Sequence, residues 1–175
     1  MARAEVVADR LDVAEHVLDA SAATPQELAA AALAQATVDP EEAIESSAAA
    51  EALARLARDW RAVSVARRAH GVAEIQLRRL DDAVDSLRSA IAIARRVGDA
   101  ELAGEASMSL GPALMLRGQP GRGLAAVSRA VADLRGLPAA RARVQRAAML
   151  QHLGRFDESL QDARLALPTL RRGGD

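Results

Sequence analysis

With no cysteine among its 175 residues, this chain must draw any chemistry from histidines, carboxylates, hydroxyls and arginines. Disulfides, thiolate nucleophiles and Cys-based zinc sites are excluded at the outset. The three histidines, His16, His70 and His152, stand far apart in the sequence. His70 and Glu74 are four residues apart, so on a helix they share a face and could hold a metal if further ligands joined them. No HExxH or paired-His pattern supplies those ligands, and a surface or packing role is expected. Gly118-Gln119-Pro120-Gly121-Arg122-Gly123 has the glycine content of a phosphate loop, but it lacks a preceding strand and the Lys-Ser/Thr ending. The pairs Glu41/Glu42, Asp81/Asp82 and Asp157/Glu158 sit where helices begin, where carboxylates offset the helix dipole without doing acid-base work. No Ser-His-Asp arrangement follows from the spacing. The expectation is a protein that is not an enzyme and has no cofactor and no metal.

The elements that would position any site are helices. Trp60 and Phe156 are the only aromatic residues, so the core must be built from Ala, Leu, Val and Met. That composition suits closely packed helices better than sheets. Residues 3–19 read as an amphipathic helix, with Val6, Val7, Leu11, Ala14, Val17 and Leu18 near helical spacing. Thr24-Pro25-Gln26-Glu27 is a capping box with Pro in the first turn, starting a helix that runs to about Ala36. Asp39-Pro40-Glu41-Glu42 starts another, to about Arg58. Further helices are expected over about 60–77, 81–96, 100–117, 121–135, 139–153 and 156–171, the sixth of the eight closed by Gly136 and Pro138. No segment alternates with period two, so no sheet is expected.

A repeat underlies these helices. The clearest stretch is Gly154-Arg155-Phe156-Asp157-Glu158-Ser159-Leu160, a glycine turn followed by an acidic helix start. Small residues in the middle of alternate helices, Ala31, Gly71, Gly111 and Ala147, are spaced by 40, 40 and 36. At that register three more columns match: Ala43, Ala83, Gly123 and Ser159; Ala50, Ala90, Ala130 and Ala166; Arg55, Arg95, Arg135 and Arg171. Small residues let antiparallel helices approach closely, and a cation in the last turn suits the negative end of the dipole.

This pattern resembles the tetratricopeptide repeat, through Leu110-Gly111 with Leu114, Ala83 with Leu87, and Gly123 with Val127. The early aromatic column of that family is replaced by Glu27, Arg67, Ser107 and Arg143, and its Pro column by the Arg column. The resemblance implies an all-α, right-handed superhelical solenoid of about eight helices plus the N-terminal one. The units would be an N-terminal helix in 1–20 and an array over 24–172, divided as 24–60, 61–99, 100–137 and 138–172. The runs Leu110 to Gly118, Arg143 to Ala148 and Leu153 to Leu160 are further similar to the arrays that precede CHAT domains in actinobacterial proteins. Such domains need a Cys–His pair, which this chain lacks.

The family's groove-lining pattern implies a peptide-binding concave face. In the second repeat it falls on Val65, Arg68, Val72, Ile75 and Gln76. In the third it falls on Glu105, Met108, Pro112, Met115 and Leu116, and in the fourth on Arg141, Val144, Gln151 and His152. Pro112 leaves the Met108 carbonyl without its helical donor, a candidate acceptor in that groove. The expected partner of this regulatory scaffold is a protein or peptide, such as a missing C-terminal domain of the same protein. Two alternatives stand beside it: a self-assembly module stacked head to tail, and the repeat arm of a transcriptional regulator. Residues 1–60 hold 4 Arg against 12 Asp and Glu, and residues 61–175 hold 19 Arg against 12, an asymmetry that suits head-to-tail contact. With a net charge of −1 and almost no aromatic residues, nucleic acid is not an expected partner. Neither is a membrane, since no run approaches a span, and a cytoplasmic location is expected. After Arg171-Arg172-Gly173-Gly174-Asp175 no polar terminal helix follows. The expectation is either a fragment of a longer protein or an uncapped last helix, with Leu160, Ala163, Leu167 and Leu170, covered by a second copy or a partner.

Overall fold

The computed structural model describes residues 23–173, in which there are eight α-helices and no strand. They are α1 Pro25–Gln35, α2 Pro40–Leu56, α3 Trp60–Gln76, α4 Leu80–Arg96, α5 Ala100–Leu116, α6 Pro120–Asp133, α7 Gly136–His152 and α8 Phe156–Gly173. The expected helix over 3–19 lies outside the described residues. The start signals at Thr24 and Asp39 act as anticipated. Thr24 and Glu27 form the reciprocal capping box, and Asp39, Asp59 and Asp99 each accept from the backbone N–H three residues on. Each bond satisfies a donor that the first turn leaves without a helical partner.

Five of the seven turns between the described helices, those after α2, α3, α4, α5 and α7, share one construction. After α5, the Gly118 N–H donates to the Met115 carbonyl at 3.0 Å and the Gln119 N–H to the Leu114 carbonyl at 2.8 Å, with Gly118 in the left-handed region at φ 80°. Glycine enters that region without the Cβ clash other residues meet. The equivalent residues after α2 and α3 are Arg58 and Arg78, at φ 57° and 62°. The backbone pattern therefore persists even where its preferred residue is missing.

Helices α2 to α5 and α7 are each 17 residues long, whereas α6 has 14. The shortened α6 and its two-residue link account for the spacing of 36. Contrary to the sequence reading, Gly136 and Pro138 do not close α6; they lie in the first turn of α7. A first-turn N–H has no helical acceptor to lose, so proline costs nothing there. Leu134, in the link, is buried against Ala130, Ala139 and Ala142 and closes the chain's tightest corner.

The small-residue columns are where helices touch. Ala50, Ala90, Ala130 and Ala166 are all at most 1% exposed. A Cβ on Gly123 would stand 2.7 Å from the Gly111 carbonyl oxygen, so α5 and α6 cross at nearly backbone contact. Ala31 is a correction: it is exposed, and α1 buries Ala29 and Ala32 instead, with Ala36 buried at its C-cap. The α1–α2 turn is one residue longer than the α3–α4 turn, and α1 is only 11 residues long, so the column does not extend into it.

Each helix packs on the next, and the odd-numbered helices also pack on one another in the order α1, α3, α5, α7. No two even-numbered helices touch among the described residues. The array therefore has an inner layer of first helices in contact and an outer layer of second helices held apart. Contact between first helices thins from α1–α3 to α5–α7.

Candidate protein-binding surface

The sequence-predicted groove residues all lie on the inner layer, but they divide into three groups. Val65 packs with Leu28 against Ala29, Ala50 and Ala66, and Val72 packs with Ile44 against Ala36, Ala43 and Ala73. Met108 packs against the cluster of Ala130, Leu134, Ala139 and Ala142. These three half-buried side chains fill the seams between helices, which is where most of their apolar surface is spent.

Arg68 and Glu105, expected near the ends of the groove, pair with each other. The Arg68 Nη1 donates to Glu105 Oε2 across the α3–α5 contact, and its Nε donates to Ser109 Oγ at 3.1 Å. The Arg68 side chain is 15% exposed. Burial pulls its proton affinity below the usual arginine range, and Glu105 offsets part of that. These charges tie two repeats together and do not stand ready for a ligand.

Pro112 behaves as its chemistry demands. The Met108 carbonyl that it frees accepts from Gln145 Nε2 at 3.1 Å, so α7 is bonded to α5 at the carbonyl that the proline leaves without its helical donor. The acceptor anticipated for a ligand is thus already used. Gln145 and Ser109 were not foreseen. The proline announces a free carbonyl, but nothing in the sequence announces which side chain reaches it.

The third group is open. Gln76, Leu116 and His152 occupy one repeat position at the C-terminal ends of α3, α5 and α7, and all three are exposed. Leu116 is 48% exposed and Val144, in the middle of α7, is 45% exposed. Gln151 and Arg141 are exposed and Met115 is half-buried. Between the N-terminal ends of α1, α3 and α5 lies a recess of about 350 Å³, lined by Val65, Leu102, Arg61, Asp99, Glu101 and Glu105. Arg61 and Asp99 pair across it at 3.2 Å.

The remaining polar cluster is structural in form. His70 Nδ1 lies 3.0 Å from Ser47 Oγ, and that hydroxyl donates to the Ile44 carbonyl at 3.0 Å, which leaves it to accept from the ring. His70 Nε2 is 3.6 Å from Glu74 Oε1. Ser47 is 1% exposed, so this Ser-His-Glu line offers no access to a substrate. Burial pushes the Glu74 carboxyl above its ordinary value, eased by Ser86, His70 and Arg79 and reinforced by Asp82. Its Oε2 makes no hydrogen bond of ordinary geometry. Among the described residues no cluster of three or more His, Asp and Glu is placed to hold a metal, and no helix is long and apolar enough to cross a membrane.

No protein-family model and no curated protein sequence matches the chain. Its fold is similar to that of BtubC (BKLC) from P. vanneervenii, with a TM-score of 0.67 and 14% identity over 86% of this chain and 66% of that one. It is also similar to that of MamA, with a TM-score of 0.63 and 20% identity over 91% of this chain and 86% of that one. The chain thus spans just under two thirds of BtubC. Both are helical-repeat proteins, and the likeness is one of fold: an all-α solenoid of the tetratricopeptide type.

Proposed function

We propose that the protein is a non-enzymatic scaffold whose inner layer holds a peptide or a helix of another polypeptide, in the service of a larger regulatory protein. The observation that carries this reading is the exposed column of Gln76, Leu116 and His152 beside Val144 on the first-helix layer. Two large apolar side chains are left uncovered there while their neighbours are used in packing. Apolar anchors spaced along a helical layer suit helix-in-groove or extended-peptide recognition. The likeness of Leu110 to Gly118 and Leu153 to Leu160 to arrays preceding CHAT domains supports the regulatory setting. The test is a displayed-peptide selection on the full chain. Enriched peptides are expected to bind at least tenfold more weakly to Leu116→Glu with Val144→Glu. Enriched peptides indifferent to that pair would overturn the groove assignment.

A second reading, head-to-tail self-assembly, has its own observation. On α8, Leu160 and Leu167 are 51% and 45% exposed. They hold the repeat positions of Val84 and Ile91 on α4, which pack against the core shared with α5. A second copy laid on α8 would restore that burial.

A further inference from the structure

The outer layer contains three equivalent clefts, because successive second helices do not touch and each gap is floored by the first helix between them. Two of the three are neutralised from within. Between α2 and α4, Glu51 pairs with Arg55 at 2.7 Å and with Arg67 at 2.7 Å. Between α6 and α8, Asp162 takes both ends of Arg146 at 2.6 Å each, and Arg155 is held by Glu158. The repeat register places Glu51 at the position of Ile91, and Asp162 at the position of Ala126. The middle cleft therefore has apolar residues where its two neighbours have carboxylates.

That middle cleft, of about 280 Å³, has a floor of half-buried Ile91 set beside the buried Leu110 and Ala126, and a rim of Arg88, Arg95 and Arg129. Arg88 reaches only Asp85, at 3.8 Å, on its own helix. Among the described residues, Arg95 and Arg129 have no acidic partner. Two others of the Arg column are held: Arg55 by Glu51, and Arg135 by donating to the Ala132 and Leu134 carbonyls at 2.6 and 2.8 Å, whereas Arg171 on α8 resembles Arg95 in having no acidic partner among the described residues. Three cations around an apolar floor call for a ligand that supplies both carboxylates and apolar side chains.

The chain carries one segment of that chemistry outside the described residues. Residues 3–19 hold Glu5, Asp9, Asp12, Glu15 and Asp19 against Arg3 and Arg10, interleaved with Val6, Val7, Leu11, Val17 and Leu18. Its own cleft is out of reach. From α1 the path crosses two helix spacings of roughly 9 Å each and then the thickness of a layer, whereas the five residues 20–24 extend to about 17 Å at most. We infer that the middle outer cleft is a docking site for the acidic amphipathic segment 3–19 of a second copy of this chain. Its carboxylates meet Arg88, Arg95 and Arg129, and its apolar residues cover Ile91. The site is separate from both the inner layer and the α8 face.

The probe is a fluorescent peptide of residues 1–22, titrated by anisotropy against the full chain. Saturable binding is expected, weakened by 0.5 M salt as exposed charges are screened. Arg95→Glu with Arg129→Glu should lose at least tenfold in affinity, and the milder Arg95→Gln with Arg129→Gln should weaken it less. An equal charge change away from the cleft, Arg164→Glu with Arg172→Glu, should leave binding within twofold of the original. Circular dichroism checks that each variant is folded, which the lack of partners for Arg95 and Arg129 favours. Unchanged binding to the cleft variants overturns the proposal. So does equal weakening by the distant pair, or equal binding of a scrambled peptide, since either would reduce the effect to general attraction. The α8 variant Leu160→Glu separates this site from head-to-tail stacking, because it should leave peptide binding intact.

Discussion

Glu74 sits where the repeat elsewhere places a leucine. Its counterpart on α5, Leu114, packs against Val84 and Leu87, whereas Glu74 faces His70 and Ser86 and is 6% exposed. Burial raises its folded pKa above an ordinary value near 4.5, so the folded state holds the proton more tightly than the unfolded chain. That contribution is full below about pH 4.5 and is lost as pH rises through the raised value, which makes the ionised carboxylate a cost at neutral pH. Glu74→Gln keeps the shape and removes the charge. Urea titrations should give the variant a higher midpoint than the natural chain at pH 7.5 and no advantage at pH 4. The same difference at both pH values would show that ionisation is not what burial penalises. The polar identity of this site was legible in the spacing of His70 and Glu74. Its burial was not, because helical spacing places two residues on one face without saying whether another helix covers that face.

Pro112 and Gln145 make the corresponding point for elements. A proline inside a helix ordinarily destabilises it by about 3 kcal/mol or more, partly through the orphaned carbonyl four residues back. Here α7 supplies the missing donor, so a local defect becomes a bond between two first helices whose contact is otherwise thin. Gln145→Ala should cost about 1–2 kcal/mol, the usual cost of leaving a buried acceptor unmade. In a Pro112→Ala background, where the helix can make its own bond, the same change should cost much less. A double-mutant cycle by urea unfolding measures the coupling, and additivity would show that the carbonyl does not depend on Gln145. The starts at Thr24 and Asp39 were readable because caps are local: each acts within three residues. The end of α6 was misplaced because Gly136 and Pro138 fit both a helix exit and a helix entry. The packing of Leu134 against α7 decides between them.

For the molecule as a whole, a solenoid holds together through nearest-neighbour seams rather than one shared core. Leu87, fully buried among Val84, Leu110 and Leu114, joins the second pair of helices to the third. Leu87→Ala should cost about 2–5 kcal/mol. The loss should fall on the coupling between halves, so that unfolding separates into two steps. Trp60, flanked by Arg55 and Arg96 each 5.8 Å from its ring, reports the N-terminal half alone by fluorescence, and circular dichroism reports both. Coincident transitions by the two probes would mean that the array unfolds as a single unit despite the weakened seam.

By itself the sequence determined the all-helical class, the helix starts and the repeat of about 40 residues. Each of these depends on interactions within one helix, or on residue types recurring at a fixed distance along the chain. It also marked the inner-layer positions through the tetratricopeptide resemblance. Only the tertiary structure decided which of those positions remain open. Val65, Val72 and Met108 are drawn into seams, Arg68 and Glu105 satisfy each other, and Gln76, Leu116, Val144 and His152 stay exposed. On the outer layer the three clefts share one register and differ in whether a carboxylate, from the same helix or an adjacent one, reaches the arginines. The Arg68–Ser109 and Arg146–Asp162 bonds join side chains 41 and 16 residues apart, and no local pattern specifies such a contact until the helices are laid side by side.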